Sequence, residues 1–536
     1  MVMTTWMTVA MAAATAAAAA AAAGGKPNIL FLASDDMRPE MSPYGAHYMN
    51  TPNFQGLADD GFTFRRAFVQ QALCAPSRTV LLTGRRPDTS RVWAIGPYFR
   101  YTTGRNWTTL PQFFKEHGWR AIGHGKIFHE GNASGWPLDQ DQEFGSWSVP
   151  YYHPPSDGYD TYNKTHPNPY PGIGKYNAPF SNLKVDAPWQ TFNDAHSALR
   201  AIEWINNASS YDDPFFLAVG FHRPHIPYVY PAQFEFAGDT MFPPKNYYIT
   251  KDVPPYAPHD WTSEGNGFTD LHVIKPPITA HNFQQNLTSL CTAVPLSKQN
   301  DMKRSYLSCI QYVDHLVGQL VGALKTNGLY DNTHIIFWGD HGYKLGEHCD
   351  WFKHDNYEDS TRIPVIFRPA GGAAAFPGRG RMVDQLVEEI DIFPSLIDLV
   401  GLAVPGNLMG KSWVPLLHDP SIEGKQAVFS QYPHHSEAFG TNVMGYSMRT
   451  SEYRYTEWLT WDCSQQDPMT KCADPASVTP QWNHLIGREL YSHIGDNSTT
   501  TFADFENVNL ANVSEYAGVV AQLHTQLVRE WAKPEQ

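Results

Sequence analysis

Short apolar runs that end in polar residues are the feature that most constrains how this chain can fold. Three such runs occupy residues 27–33, 214–220 and 333–338. Continuous apolar runs of this length are typical of strands buried on both faces, in parallel or mixed sheets covered by helices. Ligands of open α/β sheets bind at the carboxyl ends of the strands. The sequence therefore predicts an α/β fold with a functional site where these three strands end.

Polar side chains follow each of the three predicted strands. Asp35 and Asp36 follow the first strand, His222 the second, and Asp340 and His341 the third. Adjacent carboxylates repel each other, so at a buried strand end they need a cation to neutralise them. Two solvated aspartates in a surface turn are the alternative interpretation. Because the pair directly follows a buried strand, we predict that it binds a metal ion.

The stretch Cys74-Ala75-Pro76-Ser77-Arg78 precedes a short apolar helix that ends at Gly84. A helix that begins beside Cys74 directs its free N–H groups and positive dipole end at that side chain. An anion at the cysteine would be stabilised there. The alternative is a buried cysteine that packs as a small apolar residue.

Further cationic side chains stand near glycines or in polar loops. Lys126 and His129 end a predicted strand at 119–129, where little bulk would block a ligand, and Lys353 lies in a polar segment after Asp340. Each could also be an ordinary surface cation or a structural histidine. Their common position at strand ends favours a shared site.

The cysteine stretch, continued by Leu82-Thr83-Gly84-Arg85, resembles the signature of the type I sulfatases. The resemblance runs from Asn28-Ile29-Leu30 to Glu489-Leu490-Tyr491, nearly the whole mature chain. Within that family, the motifs at 83–89, 125–129, 340–342 and 345–348 are most similar to the iduronate-2-sulfatase branch. The resemblance implies an alkaline-phosphatase-like sulfatase fold: a large mixed sheet sandwiched by helices, and a smaller C-terminal antiparallel sheet with a helix.

The same resemblance implies a mechanism. A formylglycine-generating enzyme would oxidise Cys74 to Cα-formylglycine, whose hydrate attacks the sulfur of a sulfate ester, with Asp340 as base. One Ca²⁺ would be bound, with Mg²⁺ or Mn²⁺ as alternatives because histidine is an unusual ligand for Ca²⁺. The implied ligands are Asp35, Asp36, Asp340, His341 and the oxidised Cys74. The implied remaining roles are hydrate binding by Arg78 and His129, sulfate binding by Lys126 and Lys353, and proton donation to the leaving oxygen by His222.

The implied substrate is a sulfated carbohydrate, either a 2-O-sulfated uronic acid or a related polysaccharide or oligosaccharide such as a glycosaminoglycan. The sequence departs from the iduronate branch at Tyr343, Cys349 and His354, near the expected sugar site. Two alternatives remain. One is a phosphodiesterase or phosphonate monoester hydrolase, since phosphate and sulfate need similar cationic pockets. The other is an inactive protein that binds sulfated glycans.

The net charge and the targeting features of the sequence limit the partners and the cellular location that we predict. The formal net charge is −14, which argues against nucleic-acid binding as the main activity. Residues 1–25 are uncharged and rich in Met and Ala, which predicts a secretory signal segment, with a low-complexity tail as the alternative. No later apolar run is long enough to span a bilayer. The predicted location is the secretory pathway, extracellular or in a lysosome-like compartment, or the periplasm in a bacterium. Sequons fit a secreted glycoprotein if the source is eukaryotic, with chance occurrence as the alternative; they start at Asn106, Asn132, Asn163, Asn207, Asn286, Asn497 and Asn512.

The chain is predicted to divide into a signal segment at 1–25, a catalytic domain at 26–425 and a C-terminal subdomain at 426–536. Predicted strands in the last part lie at 427–431, 445–449 and 453–458, followed by a helix at 517–531. A further helix is predicted at 383–402, interrupted at Pro394. Setting Cys74 aside leaves five cysteines, so at least one should be unpaired, and Cys463 with Cys472 is the predicted disulfide.

Overall fold

A computed structural model describes residues 25–155, 182–257, 296–371, 375–436, 441–461, 480–497 and 504–531. The predicted signal segment, except for its last residue, and the predicted Cys463–Cys472 disulfide lie outside these residues. Cys309 is a free cysteine, as the odd cysteine count predicts, and Cys349 is disulfide-bonded. In the ranges given above, no helix has both the length and the apolar character needed to cross a membrane.

The secondary structure alternates strands with helices along the first three quarters of the chain. The strands are β1 (Asn28–Asp35), β2 (Phe62–Phe68), β3 (Arg120–Gly125), β4 (Asn182–Val185), β5 (Phe215–Pro224), β6 (Tyr228–Pro231), β7 (Thr333–Gly339), β8 (Lys344–Leu345), β9 (Trp351–Phe352), β10 (Arg362–Ile363), β11 (Val365–Arg368), β12 (Arg381–Glu388), β13 (Val428–Ser436), β14 (Thr441–Arg449), β15 (Tyr453–Trp461) and β16 (Leu485–Ser492). The helices are α1 (Pro52–Asp59), α2 (Cys74–Thr83), α3 (Pro87–Ser90), α4 (Leu110–Glu116), α5 (Asn193–Asn206), α6 (Leu296–Thr326), α7 (Glu358–Thr361), α8 (Ile392–Leu399), α9 (Val414–His418) and α10 (Ala517–Trp531).

The main sheet is mixed, with strand order β10-β2-β11-β7-β1-β5-β3 and β12 paired with β2. Strands β3, β5, β1 and β7 are parallel to one another. β11 is antiparallel to both β7 and β2, so β2 points the same way as the parallel strands. The carboxyl ends of these strands therefore lie at one edge of the sheet, which confirms the predicted α/β architecture.

The strands are buried on both faces because helices cover both. Along β1, Leu30 and Leu32 pack into a cluster with the apolar face of α6, whereas Ile29 and Phe31 pack into a cluster on the opposite side. Successive side chains of a strand point to opposite faces, so a strand between two helical layers must be apolar at every position. Burying each such side chain contributes roughly 1.5–3 kcal/mol. This is the physical origin of the continuous apolar runs.

The helix predicted at 383–402 is wrong in its first part. Residues 381–388 form strand β12, which pairs in parallel with β2 and has an irregularity between Val383 and Leu386. The spacing of the apolar residues at 383, 386 and 387 fits a helix, but pairing with β2 satisfies the backbone of both strands. The helical part is α8, and Pro394 lies in its first turn, where the missing N–H costs little.

The C-terminal part contains an antiparallel sheet with strand order β13-β14-β15-β16. Helix α10 covers one face, and its Leu523 and Leu527 pack against Met448, Tyr455 and Leu490. The predicted small sheet and the predicted terminal helix are therefore present, while β16 was not predicted. The domain division at residue 425 stays a prediction.

Candidate active site

The carboxyl ends of four strands supply one buried cluster of charged side chains. Asp35 is the last residue of β1, Asp340 follows β7, and Lys126 follows β3. Cys74 is the first residue of α2, which follows β2. The topology therefore brings together side chains that are up to 305 positions apart in the sequence, and all of these residues are buried.

Carboxylates form the centre of the cluster. The backbone N–H of Asp36 donates to Asp340 Oδ1 at 2.9 Å, and His341 Nε2 lies 3.2 Å from Asp36 Oδ1 and 3.6 Å from Asp340 Oδ1. Asp35, Cys74, Asp340 and His341 each offer a ligand atom within 4.8 Å of the others. His341 Nδ1 lies 2.9 Å from the carbonyl oxygen of Gly342, so its proton sits there and Nε2 is left as a lone-pair donor.

This donor set fits a hard divalent cation. Burial and the negative charge of Asp35 raise the pKa of Asp340 well above its usual range, because three carboxyl groups crowd one dry site. Burial and the neighbouring Lys353 lower the pKa of His341 to about 3, so the imidazole is neutral and able to ligate. Oxygen-rich ligands with one neutral imidazole suit Ca²⁺, Mg²⁺ or Mn²⁺.

Cationic side chains pair with the carboxylates of the cluster. Arg78 Nε lies 2.9 Å from Asp340 Oδ2, and its Nη2 lies 3.4 Å from Asp35 Oδ1. Lys126 Nζ pairs with Asp35, and Lys353 Nζ lies 2.5 Å from Asp36 Oδ1. Burial alone would raise the pKa of Asp35, but the charges of Lys126 and Arg78 hold it well below its usual range.

Backbone contacts hold Lys126 in place, in addition to the ion pair of its ammonium with Asp35. A Cβ built on Gly220 would lie 1.9 Å from the backbone oxygen of Lys126, so only glycine allows β5 this close to the end of β3. Arg78 Nη1 also donates to the carbonyl oxygens of Lys126 and Ile127. Gly220 and Arg78 therefore both hold the backbone of Lys126 beside the cluster.

Cys74 lies among these groups. Its Sγ is 3.4 Å from Lys353 Nζ, 3.4 Å from His341 Nε2 and 4.0 Å from Asp36 Oδ1. Burial and the charge of Asp35 raise the pKa of the thiol well above its usual range. An unmodified Cys74 is therefore a protonated thiol and a poor nucleophile, although it sits at the N-terminus of α2.

The two predicted histidines lie at the rim of the cluster. His129 Nδ1 lies 3.0 Å from the backbone oxygen of Glu130, and burial together with Lys126 lowers its pKa to about 3. His222 Nε2 lies 2.9 Å from Glu130 Oε1, and its Nδ1 lies 3.4 Å from Asp194 Oδ1. Burial opposes the charged form of His222, but Glu130 and Asp194 prevail and raise its pKa to about 10. His129 is therefore neutral and His222 is an imidazolium.

Comparison with known proteins decides the family. Residues 27–402 match the family described as Sulfatase, and residues 346–494 match the family described as N-sulphoglucosamine sulphohydrolase, C-terminal. The chain belongs to the sulfatase family. It is 34% identical to the iduronate 2-sulfatase of Mus musculus over 92% of this chain and 93% of that protein. Identity to the Homo sapiens iduronate 2-sulfatase is also 34%, over 81% of this chain and 85% of that protein.

Solved structures share the sulfatase fold. A 2-O GAG sulfatase superposes with a TM-score of 0.63 at 20% identity, covering 94% of this chain and 92% of that one. The phosphonate monoester hydrolase of Agrobacterium radiobacter superposes with a TM-score of 0.64 at 22% identity, covering 94% and 96%. The predicted fold and the predicted membership of the sulfatases, enzymes that hydrolyse sulfate esters, are both confirmed.

The structure brings the predicted site residues together, and three residues that were not predicted lie with them. His225 offers a nitrogen within 4.8 Å of the ligand atoms of Asp35, Asp36 and Cys74, and Glu130 and Asp194 hold His222. His225 Nε2 is 4.0 Å from Asp36 Oδ2, while its Nδ1 lies 2.6 Å from the carbonyl oxygen of Ile226. The signal for His225 was its position three residues after His222 at the same strand end.

Proposed function

We propose that this sulfatase hydrolyses sulfate esters of a carbohydrate by means of a formylglycine made from Cys74. The observation that carries the proposal is the position of Cys74, whose Sγ lies 3.4 Å from both Lys353 Nζ and His341 Nε2 inside a buried carboxylate cluster. A protonated thiol has little use among metal-type ligands, whereas an aldehyde hydrate at this place would offer oxygen atoms to a cation and to a sulfate.

Peptide mass spectrometry tests this step. Protein from a host that has a formylglycine-generating enzyme, the proposed partner in maturation, should yield a Cys74 peptide in which the thiol mass is replaced by the aldehyde mass. An unmodified thiol in an active enzyme would contradict the proposal. The matched control is the peptide of Cys309, also buried and free, which should retain its thiol.

One divalent cation, Ca²⁺ in our proposal, would be held by Asp35, Asp36, Asp340, His341 and the modified Cys74. When bound, it would polarise the sulfate oxygens and favour the deprotonated form of the nucleophile. The buried, crowded carboxyls and the neutral His341 support this set. Dialysis against a chelator should abolish turnover, and Ca²⁺ should restore it better than Mg²⁺ or Mn²⁺.

The positively charged side chains of Lys353 and Lys126 would bind and orient the sulfate group. Lys353 Nζ lies beside both Asp36 and Cys74, and Lys126 Nζ beside Asp35, so each ammonium can turn from its carboxylate to a sulfate oxygen. Arg78 and His129 would hold the hydrate. Positive groups fixed in advance around a developing negative charge are a strong source of rate enhancement.

The leaving sugar oxygen needs a proton, and the carboxyl end of β5 carries the candidate donors: His222 lies near the end of the strand and His225 directly follows it. His222 is the donor proposed from the sequence, and its paired imidazolium holds a proton throughout the neutral range. His225 is the second candidate, because it approaches Cys74 and Asp36. His222→Gln and His225→Gln should be compared on a sugar sulfate and an aryl sulfate. Loss of the true donor slows the sugar ester far more, because a phenolate leaves without help.

The substrate proposed is a 2-O-sulfated uronic acid or a related sulfated oligosaccharide or polysaccharide. The 34% identity to two iduronate 2-sulfatases supports a uronic acid. A panel of sulfated glycosaminoglycan disaccharides, aryl sulfates and choline sulfate tests it. If the simple sulfates are turned over much faster than the sugars, the carbohydrate assignment is wrong.

Phosphonate monoester hydrolysis is a second candidate, favoured by the superposition on the Agrobacterium radiobacter enzyme. Matched sulfate, phosphate diester and phosphonate esters of one phenol would separate the two. We expect the sulfate ester to have the highest kcat/KM. A higher kcat/KM for the phosphonate ester would favour phosphonate monoester hydrolysis as the function.

We further propose that the protein passes through the secretory pathway. All sequon asparagines within the described residues are exposed to solvent, as glycosylation requires: Asn106, Asn132, Asn207, Asn497 and Asn512. In a eukaryotic host, treatment with an N-glycosidase should lower the mass of the secreted protein. An unchanged mass would contradict the proposal that it is a glycoprotein.

A further inference from the structure

A buried lysine that the mechanism does not use lies behind the loop of Lys353. Lys344 is fully buried, and its Nζ lies 2.5 Å from Asp355 Oδ2 and 3.2 Å from Asp350 Oδ2. The ammonium also lies 4.0 Å from the ring centroid of Tyr357. Both carboxylates are buried as well, so the three charges depend on one another.

The two carboxylates stand on either side of Lys353 in the sequence. Asp350 precedes strand β9, Lys353 follows it, and Asp355 comes two residues later. Strand β9 in turn pairs with β8, in which Lys344 is opposite Phe352. One ammonium therefore holds both ends of the short segment that bears Lys353, and a backbone ladder holds its middle.

This segment needs such support because its backbone is strained. Phe352 has φ +79° and His354 has φ +85°, so the residues on both sides of Lys353 are in the left-handed region that non-glycine residues rarely adopt. Such conformations persist only where the surroundings impose them. The ammonium of Lys353 reaches Asp36 and Cys74 from this strained position.

We propose that Lys344 is a positioning residue, which sets the place of Lys353 at the reacting group by binding Asp350 and Asp355 together. The inference rests on the proposed function, because it assigns Lys344 a role through the sulfate-binding lysine. Lys344 touches neither the sulfate nor the nucleophile and acts through the loop alone.

A double-mutant cycle tests the inference in the full-length, matured enzyme. Lys344→Met should lower kcat by about 10- to 100-fold, the loss expected when a catalytic group moves by about 1 Å. KM should change little if Lys353 acts as charge develops on the sulfate. In a Lys353→Ala background, Lys344→Met should have almost no further effect on kcat, because its route to the reaction is already gone. Independent losses that multiply would overturn the inference.

Two further variants keep the test decisive if Lys344→Met is unstable. Lys344→Met/Asp355→Asn removes one charge of each sign, and should fold while still losing kcat. Lys425→Met is the matched control, since Lys425 also binds two carboxylates, Glu388 and Asp391, away from Lys353. Lys425→Met should change the free energy of unfolding. Any loss of kcat that it causes should be the same in the wild type and in the Lys353→Ala background.

Hydrogen exchange separates this inference from the proposed function. In Lys344→Met, amides of residues 350–357 should exchange faster than in the wild type, whereas in Lys425→Met they should not. Unchanged exchange in that segment overturns the inference even if the enzyme is a sulfatase. A wild-type enzyme with no activity on any sulfate ester overturns the proposed function, while the exchange result still decides whether Lys344 holds the loop.

Discussion

Among the described residues, two buried clusters each combine carboxylates with a histidine, and we propose only one of them as a catalytic site. The first contains Asp35, Asp340 and His341 beside Cys74, and the second contains Glu358, His493 and Glu506. In both, the ligand atoms approach closely enough to hold a metal ion. The two clusters differ in how far neighbouring cations lower the pKa values of their carboxyls.

The second group is neutralised by arginines at hydrogen-bond distance. Arg449 Nε lies 2.7 Å from Glu358 Oε2, and Arg454 Nε lies 2.5 Å from Glu506 Oε1. Burial opposes ionisation of Glu358, but Arg449 and His493 hold its pKa well below its usual range. Since both arginines belong to the C-terminal sheet and Glu358 to α7, this group joins that sheet to the catalytic part.

The strand-end group differs because the pKa of one carboxyl, Asp340, stays raised although Arg78 Nε lies 2.9 Å from it. Burial and Asp35 raise the pKa of Asp340 well above its usual range. Burial also opposes the ionisation of Glu506, but Arg454 and His493 together lower its pKa to about 2. A divalent cation would stabilise the ionised form of a carboxyl whose pKa is raised by neighbouring carboxylates. Close ligand atoms occur in both groups, so the raised pKa of Asp340 is what favours the strand-end group as the proposed metal site.

The largest expected effect comes from removing the reacting group. Cys74→Ala should lower kcat at least about a thousandfold, because no formylglycine can form. The thermal midpoint should change little, since alanine is small enough for the site. Steady-state kinetics on a sulfate ester and calorimetry measure the two. Cys309→Ala is the control, a buried free cysteine outside the cluster, and it should leave kcat unchanged.

Removing a sulfate-binding cation comes next. Lys126→Met should lower kcat about 10²–10³-fold, the range found when one stabilising donor is lost. A loss confined to KM, with kcat unchanged, would contradict a role in stabilising developing charge.

The second group should respond in stability and not in metal binding. Arg454→Met leaves Glu506 buried without its arginine and should lower the free energy of unfolding by about 3–5 kcal/mol. Denaturant unfolding measures this, with the exposed Arg529→Met as control. Metal content per chain should stay at one ion. If Arg454→Met lost its metal ion, the ion would bind at Glu358, His493 and Glu506 and not at the strand-end group, which would contradict the proposal.

A smaller effect concerns pH. The folded state raises the pKa of His222 from an ordinary value near 6.5 to about 10, because Glu130 and Asp194 stabilise its charged form. Its contribution to stability is therefore complete below about pH 6.5 and disappears as pH rises towards 10. His222→Gln should flatten the decline of stability between these pH values, with exposed His47→Gln as control. If the slope of the free energy of unfolding against pH were unchanged in His222→Gln, the ion pairs of His222 with Glu130 and Asp194 would be contradicted.

The sequence predicted those parts of the site that depend on strand ends and motifs. Asp35 and Asp340 were predicted because apolar runs locate buried strands, and the ends of parallel strands meet. Cys74 was predicted from its motif and its place at the start of a helix. His225 and the partners of His222 were missed, since Glu130 and Asp194 belong to other elements and only the folded chain brings them close.

Two elements of the fold were also beyond local patterns. The apolar residues of 383–388 fit a helix equally well, and pairing with β2 decided the strand. The pairing of β16 with β15 depends on residues about thirty positions apart, which sequence spacing does not reveal. The role proposed for Lys344 likewise depends on the folded chain, which brings its ammonium to both Asp350 and Asp355.

The most direct test is the anomalous diffraction of crystals grown with Mn²⁺. The account predicts one peak, between Asp35, Asp340 and His341 and next to residue 74. No peak should occur between Glu358, His493 and Glu506. A peak at the second group, or none at the first in an enzyme that Mn²⁺ activates, would contradict the assignment of the strand-end cluster as the metal-dependent active site.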